Sequence, residues 1–261
     1  MIVIKFGGHA MTDEHGAFAQ AIAEAISSGA TPVVVHGGGP QIGEALKAAG
    51  IESHFVGGFR VTTPETFEVV ERVLASEVGP AVAQSLIAHG VNAVALSGRT
   101  SGVLVAQPLT HLVDGTSADL GLVGVITSVE PSALKELVAA GKVPVVSPIA
   151  TDAKGSKGFN VNADLAAAAI AGALDAQWLI IMTDVAGIYR NWPDKSSLIS
   201  SINAVELEEI KSTFAEGMAP KVQACLDAIA AGAKAVRIID GTDPSALKGA
   251  LLGEGGTLVV A

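Results

Sequence analysis

Ile2-Val-Ile-Lys5-Phe-Gly7-Gly8 opens the chain, and Pro32-Val-Val-Val-His36-Gly37-Gly38-Gly39 repeats its plan. Each is a short apolar run ended by glycines, and each leads into an amphipathic run, Ala17–Ser28 and Gln41–Ala49. Apolar runs without polar alternation read as strands buried on both faces, the habit of parallel sheets. Gly29 and Gly50 stand where the two helices should stop. The order strand, helix, strand, helix predicts an α/β fold with ligand sites beyond the carboxyl ends of the strands.

The rest of the chain continues this theme. Thr63-Pro64-Glu65 starts a helix, with Thr63 as N-cap and Pro64 in the first turn, running to about His89 with a bend near Gly79-Pro80. Asn92–Leu96 and Val143–Ser147 read as strands, with the helix Ser132–Ala140 before the second. Val103–Val105 and Val123–Ser128 read as short strands beside the main sheet. The second half holds strands at Trp178–Met182, Ala235–Ile239 and Thr257–Val260, and helices at Ala204–Ile210, Pro220–Ala231 and Pro244–Leu252. One sheet is expected to run through both halves, with a cleft near residues 150–175.

Composition narrows the function. Hydrophobic residues make up 49% and aromatic residues only 4%, with 30 glycines, so the core is built from Ala, Val, Ile and Leu. A net charge of −10 excludes the basic stripe of a nucleic-acid binder. The lone Cys225 lies in an apolar helical run and reads as a small core residue. No secretory signal precedes the first strand, and runs such as Ala166–Leu174 are too short to span a membrane. The expectation is a soluble cytoplasmic protein.

The polar residues that stand out lie at strand ends and helix starts. The glycines after the first two strands let backbone N–H groups cradle an anion, and Gly38-Gly39 adds the positive end of a helix. Neither the P-loop nor the dinucleotide fingerprint is present. Lys5 faces the strand ends. Lys221 stands at a helix start, where the dipole disfavours a cation, so a carboxylate or anionic ligand should lie nearby. Asn160-Val-Asn162-Ala-Asp164 opens an alanine-rich helix with more polarity than capping requires. Asn162 serves as N-cap, which leaves Asn160 and Asp164 to be explained. Arg60, in a glycine-rich loop, suits a bidentate grip on a carboxylate. His36 reads as a hydrogen-bonded histidine, not a base or metal ligand, and the six histidines show no metal-binding spacing. Anion cradles and two lysines suggest phosphoryl transfer, which depends on positioning and charge neutralisation.

Taken in order, these stretches resemble the amino acid kinase family. The resemblance is carried by Lys5-Phe-Gly-Gly8, His36-Gly-Gly-Gly39-Pro-Gln41, Gly58-Phe-Arg60-Val-Thr62, Asn160-Val-Asn-Ala-Asp164, Thr183-Asp184-Val-Ala-Gly187-Ile188 and Gly217-Met218-Ala-Pro-Lys221. It implies a three-layer αβα sandwich around a mostly parallel sheet of about eight strands. The single domain would divide into an N-terminal lobe, about 1–155, for N-acetyl-L-glutamate and dimerisation, and a C-terminal lobe, about 156–261, for MgATP. The reaction would move the γ-phosphoryl to the side-chain carboxylate, giving an acyl phosphate of arginine biosynthesis. Lys5 and Lys221 would stabilise the group in transfer and Asp164 would orient both. Gly38, Gly39, Arg60 and Asn160 would hold the substrate. Gly7, Gly8, Thr183, Asp184, Gly187, Tyr189 and Met218 would line the nucleotide site, with Mg²⁺ held mainly by ATP phosphates.

Two stretches depart from the pattern. Ser97-Gly-Arg99-Thr-Ser-Gly102 stands where the family often has a lysine and aspartate, and Asp243-Pro-Ser-Ala-Leu247 where it has a histidine-led helix. The chain begins at its first strand, without the N-terminal helix of arginine-inhibited hexamers, so a homodimer insensitive to arginine is expected. The alternatives are a kinase for N-acetyl-aminoadipate or a carrier-linked substrate, one methylene being a weak discriminator, and a ligand sensor of the same fold without turnover. Retention of Lys5, Lys221 and Asp164 argues against the sensor.

Overall fold

In the computed structural model, which describes residues 1–7, 16–214 and 218–261, β1 (Ile2–Phe6) lies near the middle of an eight-stranded sheet. It pairs in parallel with β2 (Pro32–His36) on one side and β11 (Trp178–Thr183) on the other. Beyond β2 lie β8 (Val143–Ser147) and β5 (Ala93–Ser97); beyond β11 lie β13 (Ala235–Asp240), β14 (Thr257–Val260) and β12 (Ser201–Asn203). The sheet therefore runs unbroken through both halves of the chain. Only the β13–β14 pairing is antiparallel.

Period-two geometry sorts β1 between two cores. Ile2, Ile4 and Phe6 face one core, shared with α1 (Ala17–Ser27), α2 (Gly39–Ala48), α3 (Pro64–Glu71), α4 (Gly79–Ala88) and α9 (Ala246–Leu251). Val3 faces the other, shared with α6 (Ala163–Ala173) and α8 (Ala219–Ala230). Lys5 has the parity of Val3, so it projects towards α6 and α8. Helices on both faces make the expected three layers. Short strands β6 (Leu104–Pro108), β7 (Val123–Val129), β9 (Ile149–Thr151) and β10 (Gly158–Val161) close into a small barrel beside the sheet. Also among the described residues are the hairpin β3 (Phe55–Val56) and β4 (Phe59–Arg60), and the helices α5 (Ser132–Ala139) and α7 (Ala204–Ile210). No helix among the described residues is long and apolar enough to cross a membrane.

Several expectations need adjustment. The helix after Thr63 is not one continuous α-helix: it passes through a π-helical stretch, Arg72–Val78, before α4. Pro80 lacks an N–H, so the i→i−4 ladder cannot continue there, and the wider turn absorbs the break. Asn160 lies in β10, not in a turn, and α2 begins at Gly39 instead of Gln41. Gly8 and Gly217 lie outside the described residues.

Candidate active site

Asp164 organises the site. Asn162 caps α6 as expected, its side-chain oxygen accepting from the N–H groups of Asp164 (2.8 Å) and Leu165 (3.3 Å). That cap fixes the first turn and aims the Asp164 side chain. One carboxylate oxygen lies 3.1 Å from Lys5 Nζ and the other 3.1 Å from Lys221 Nζ. Lys5 Nζ also reaches the Met182 carbonyl, at 3.4 Å, at the end of the neighbouring strand β11. Lys221 comes from the first turn of α8, so the carboxylate anticipated from its position is Asp164.

The electrostatics follow from this geometry. Asp164 is 3% exposed and Lys5 7%. Burial pushes the Asp164 carboxyl up, but the charges of Lys5 and then Lys221 outweigh it and hold the group below the usual carboxylate range. Two lysines against one carboxylate leave a formal charge of +1, which calls for an anion. Cys225 lies behind the cluster; burial, followed by the Asp164 charge, raises its thiol far above the usual range, so it is inert core.

Glycine permits the close approaches. A Cβ on Gly7 would lie 2.7 Å from Lys5 Nζ, and one on Gly38 would lie 2.5 Å from a Leu74 methyl. Without side chains, Gly7 leaves the Lys5 head its place and Gly38 packs closely against Leu74.

Two cavities meet at this cluster. The first, about 280 Å³, is bounded by Lys5, Gly38, Gly39, Arg60, Asn160 and Asp164, with Lys221 at its far side. Arg60 Nη2 donates to the Gly39 carbonyl at 3.1 Å, Nη1 donates to Ser53 Oγ, and the guanidinium lies 4.6 Å above the Phe55 ring. Asn160 Nδ2 donates to Thr62 Oγ1 at 3.0 Å, and that hydroxyl donates to the Arg60 carbonyl at 2.8 Å. A hydroxyl has one proton, so Thr62 can only accept from Asn160, which sets the amide's orientation.

The second cavity, about 700 Å³, is bounded by Thr183, Asp184, Tyr189, Trp192, Met218 and again Lys221. Thr183 Oγ1 donates to Asp184 at 3.1 Å. Gly187 is not on this wall. A Cβ there would lie 2.4 Å from Thr257 Oγ1, and that hydroxyl accepts from the Ile188 N–H at 2.8 Å, pinning the loop to β14. Gly7, close against Lys5, does not line this cavity either. The sequence reading missed Trp192, which is 61% exposed, and Phe55. With aromatics at 4% of the chain, a tryptophan in a polar segment was the available signal. Among the described residues, no three His, Cys, Asp or Glu side chains gather to hold a metal ion.

Comparison with known proteins gives the family. The model of the amino acid kinase family matches residues 1–240. The acetylglutamate kinase of Nocardia farcinica is 48% identical over 263 residues, which covers 99% of this chain and 86% of that one. The acetylglutamate kinase of Corynebacterium urealyticum is 47% identical over 258 residues, covering 98% and 84%. Among solved structures, smu.665 from Streptococcus mutans superposes with a TM-score of 0.84 at 28% identity, covering 100% of this chain and 98% of that one. The chain belongs to the amino acid kinase family.

Proposed function

We propose that the chain is an acetylglutamate kinase, moving the γ-phosphoryl group of ATP to the side-chain carboxylate of N-acetyl-L-glutamate in arginine biosynthesis. The observation that carries this reading is the Lys5–Asp164–Lys221 cluster on the wall between the two cavities, with Lys221 lining both. It gains support from the two curated relatives that bear that name.

The smaller cavity suits the amino acid. Arg60 meets the α-carboxylate and Asn160 the acetamido group, while the side-chain carboxylate points at Lys5 and the Gly38–Gly39 backbone. The larger cavity is of the size that holds ligands of nucleotide class, roughly 300–1,000 Å³. Tyr189 and Trp192 offer aromatic surface to the base, and Lys221 stands at the phosphate end.

A glutamate side chain, with a pKa of about 4.3, is ionised at neutral pH, so the nucleophile needs no general base. One carboxylate oxygen forms a bond to the γ-phosphorus as the bond to the β-phosphate oxygen breaks, leaving an acyl phosphate and ADP. The difficulty is repulsion between anions. Lys5 and Lys221 neutralise it from two sides, and Asp164 keeps both ammonium groups aimed before substrates arrive. Mg²⁺ bound with the nucleotide would supply further neutralisation; Asp184 is the carboxylate that lines the larger cavity among the described residues and could help to hold it.

Three finer readings go with this one. The amino acid is taken by the lobe of about residues 1–155 and the nucleotide by that of about 156–261. The enzyme works in the cytoplasm. It is a homodimer, and a sedimentation mass of a hexamer would overturn that. For the activity, incubation with MgATP and hydroxylamine should give the hydroxamate from N-acetyl-L-glutamate. A product from N-acetyl-aminoadipate alone would reassign the substrate, and no product from either would sink the kinase reading.

A further inference from the structure

His36, the last residue of β2, is fully buried, and the phosphoryl-transfer scheme does not use it. Its Nδ1 lies 2.7 Å from the carbonyl oxygen of the next residue, Gly37. A carbonyl only accepts, so Nδ1 carries the proton and Nε2 is a bare acceptor. Nε2 is sealed from solvent without a hydrogen-bond partner among the described residues. It lies against Gly79, where a Cβ would come within 3.0 Å of it, at the junction between the π-helical stretch and α4. Burial lowers the imidazole pKa to about 4, against the smaller opposing effect of the Gly37 hydrogen bond, so the ring is neutral at working pH. A base or metal ligand would present a nitrogen to a cavity; this ring gives its only donor to the adjacent peptide.

The peptide it holds is the one that matters to the site. The only cis bond among the described residues is Trp192–Pro193, so Gly37–Gly38 is trans, with C=O and N–H on opposite sides of the plane. With the Gly37 carbonyl turned to the buried imidazole, the Gly38 N–H is turned the other way. Gly37, Gly38 and Gly39 all line the cavity that also holds Lys5 and Lys221. The Gly37 N–H donates to the Phe6 carbonyl at 2.7 Å, so the chain is tied to β1 just before this plane. The Gly38 N–H donates to no acceptor among the described residues. An N–H without a partner beside two lysines is a third donor for the same anion.

We propose that His36 is a positioning residue, whose Nδ1–H sets the Gly37–Gly38 peptide plane so that the Gly38 N–H meets an oxygen of the phosphoryl group in transfer. This rests on the kinase reading above. An asparagine at 36 places its amide nitrogen where Nδ1 is, a glutamine places it where Nε2 is, and a leucine keeps volume without a donor. His36→Leu and His36→Gln should lose about 10–100-fold in kcat with both KM values within about threefold, and His36→Asn should recover most of that loss. A merely structural role would make activity track melting temperature and treat Asn and Gln alike; that result, or wild-type kcat in His36→Leu, overturns the inference. The ¹⁵N imidazole spectrum of the unmodified protein at pH 7 tests it without a variant and without activity. The Nδ1–H tautomer is expected, and an Nε2–H tautomer or an imidazolium would contradict it. A wild-type protein that made no acyl phosphate would remove the kinase reading, and the tautomer would still report on the peptide anchor separately.

Discussion

The two cavities that share Lys221 are built of different material. The smaller is walled by strand ends and glycine backbone: Lys5 on β1, Gly38 and Gly39 after β2, Asn160 on β10, with Asp164 beneath. Lys5 and Asp164 are buried and paired, and the half-buried Asn160 is held by Thr62. The larger is walled by the segment after β11 and the approach to α8, where Arg190, Asn191 and Trp192 are exposed. Rigid elements align reacting groups to fractions of an ångström, whereas loops tolerate variation and hold a ligand over a wider surface. The chain places its rigidity where the bond is made.

Substitutions can sharpen or break that contrast. Lys5→Ala and Lys221→Ala should have the largest effect, a fall in kcat of about three orders of magnitude with KM values little changed, because the charge they meet grows in the transition state. A rise in KM alone would move either lysine from the chemistry to binding. Arg60→Lys comes next. It keeps the charge but loses the planar fork, so the KM for N-acetyl-L-glutamate should rise by about tenfold while the KM for ATP holds. An equal rise in both would mean that the hairpin of β3 and β4 serves the whole cleft and not the amino acid. Trp192→Leu should do least, raising the KM for ATP by about threefold at unchanged kcat. A large fall in kcat there would erase the distinction between a rigid reacting side and an adaptable holding side.

Much of the reacting side was legible in the sequence because its causes are local. Apolar runs ending in glycines marked β1 and β2, Thr63 and Asn162 cap the helices they precede, and the misplaced cation of Lys221 pointed to a carboxylate. What local patterns miss is set by partners distant in sequence. Gly158–Val161 is a strand because β7 and β9 flank it, although the glycine- and lysine-rich run before it reads as loop. The antiparallel β14 depends on how the chain returns to β13 after α9. Gly187 has the look of a ligand-binding glycine, yet the structure shows a close approach to Thr257. Trp192 was passed over because an exposed tryptophan gains its meaning from the cavity beside it.

Asp164→Asn tests the central claim most directly, since it keeps the shape of the side chain and removes the charge that binds both lysines. Breaking a buried ion pair costs stability, about 3–5 kcal/mol, so the rate is measured on protein shown to be folded at the assay temperature. In a single turnover at saturating MgATP and N-acetyl-L-glutamate, acyl phosphate formation is expected to slow by about 100-fold or more. A folded Asp164→Asn protein turning over within about twofold of the unmodified enzyme would show that Asp164 is only a helix-end residue and would contradict the account.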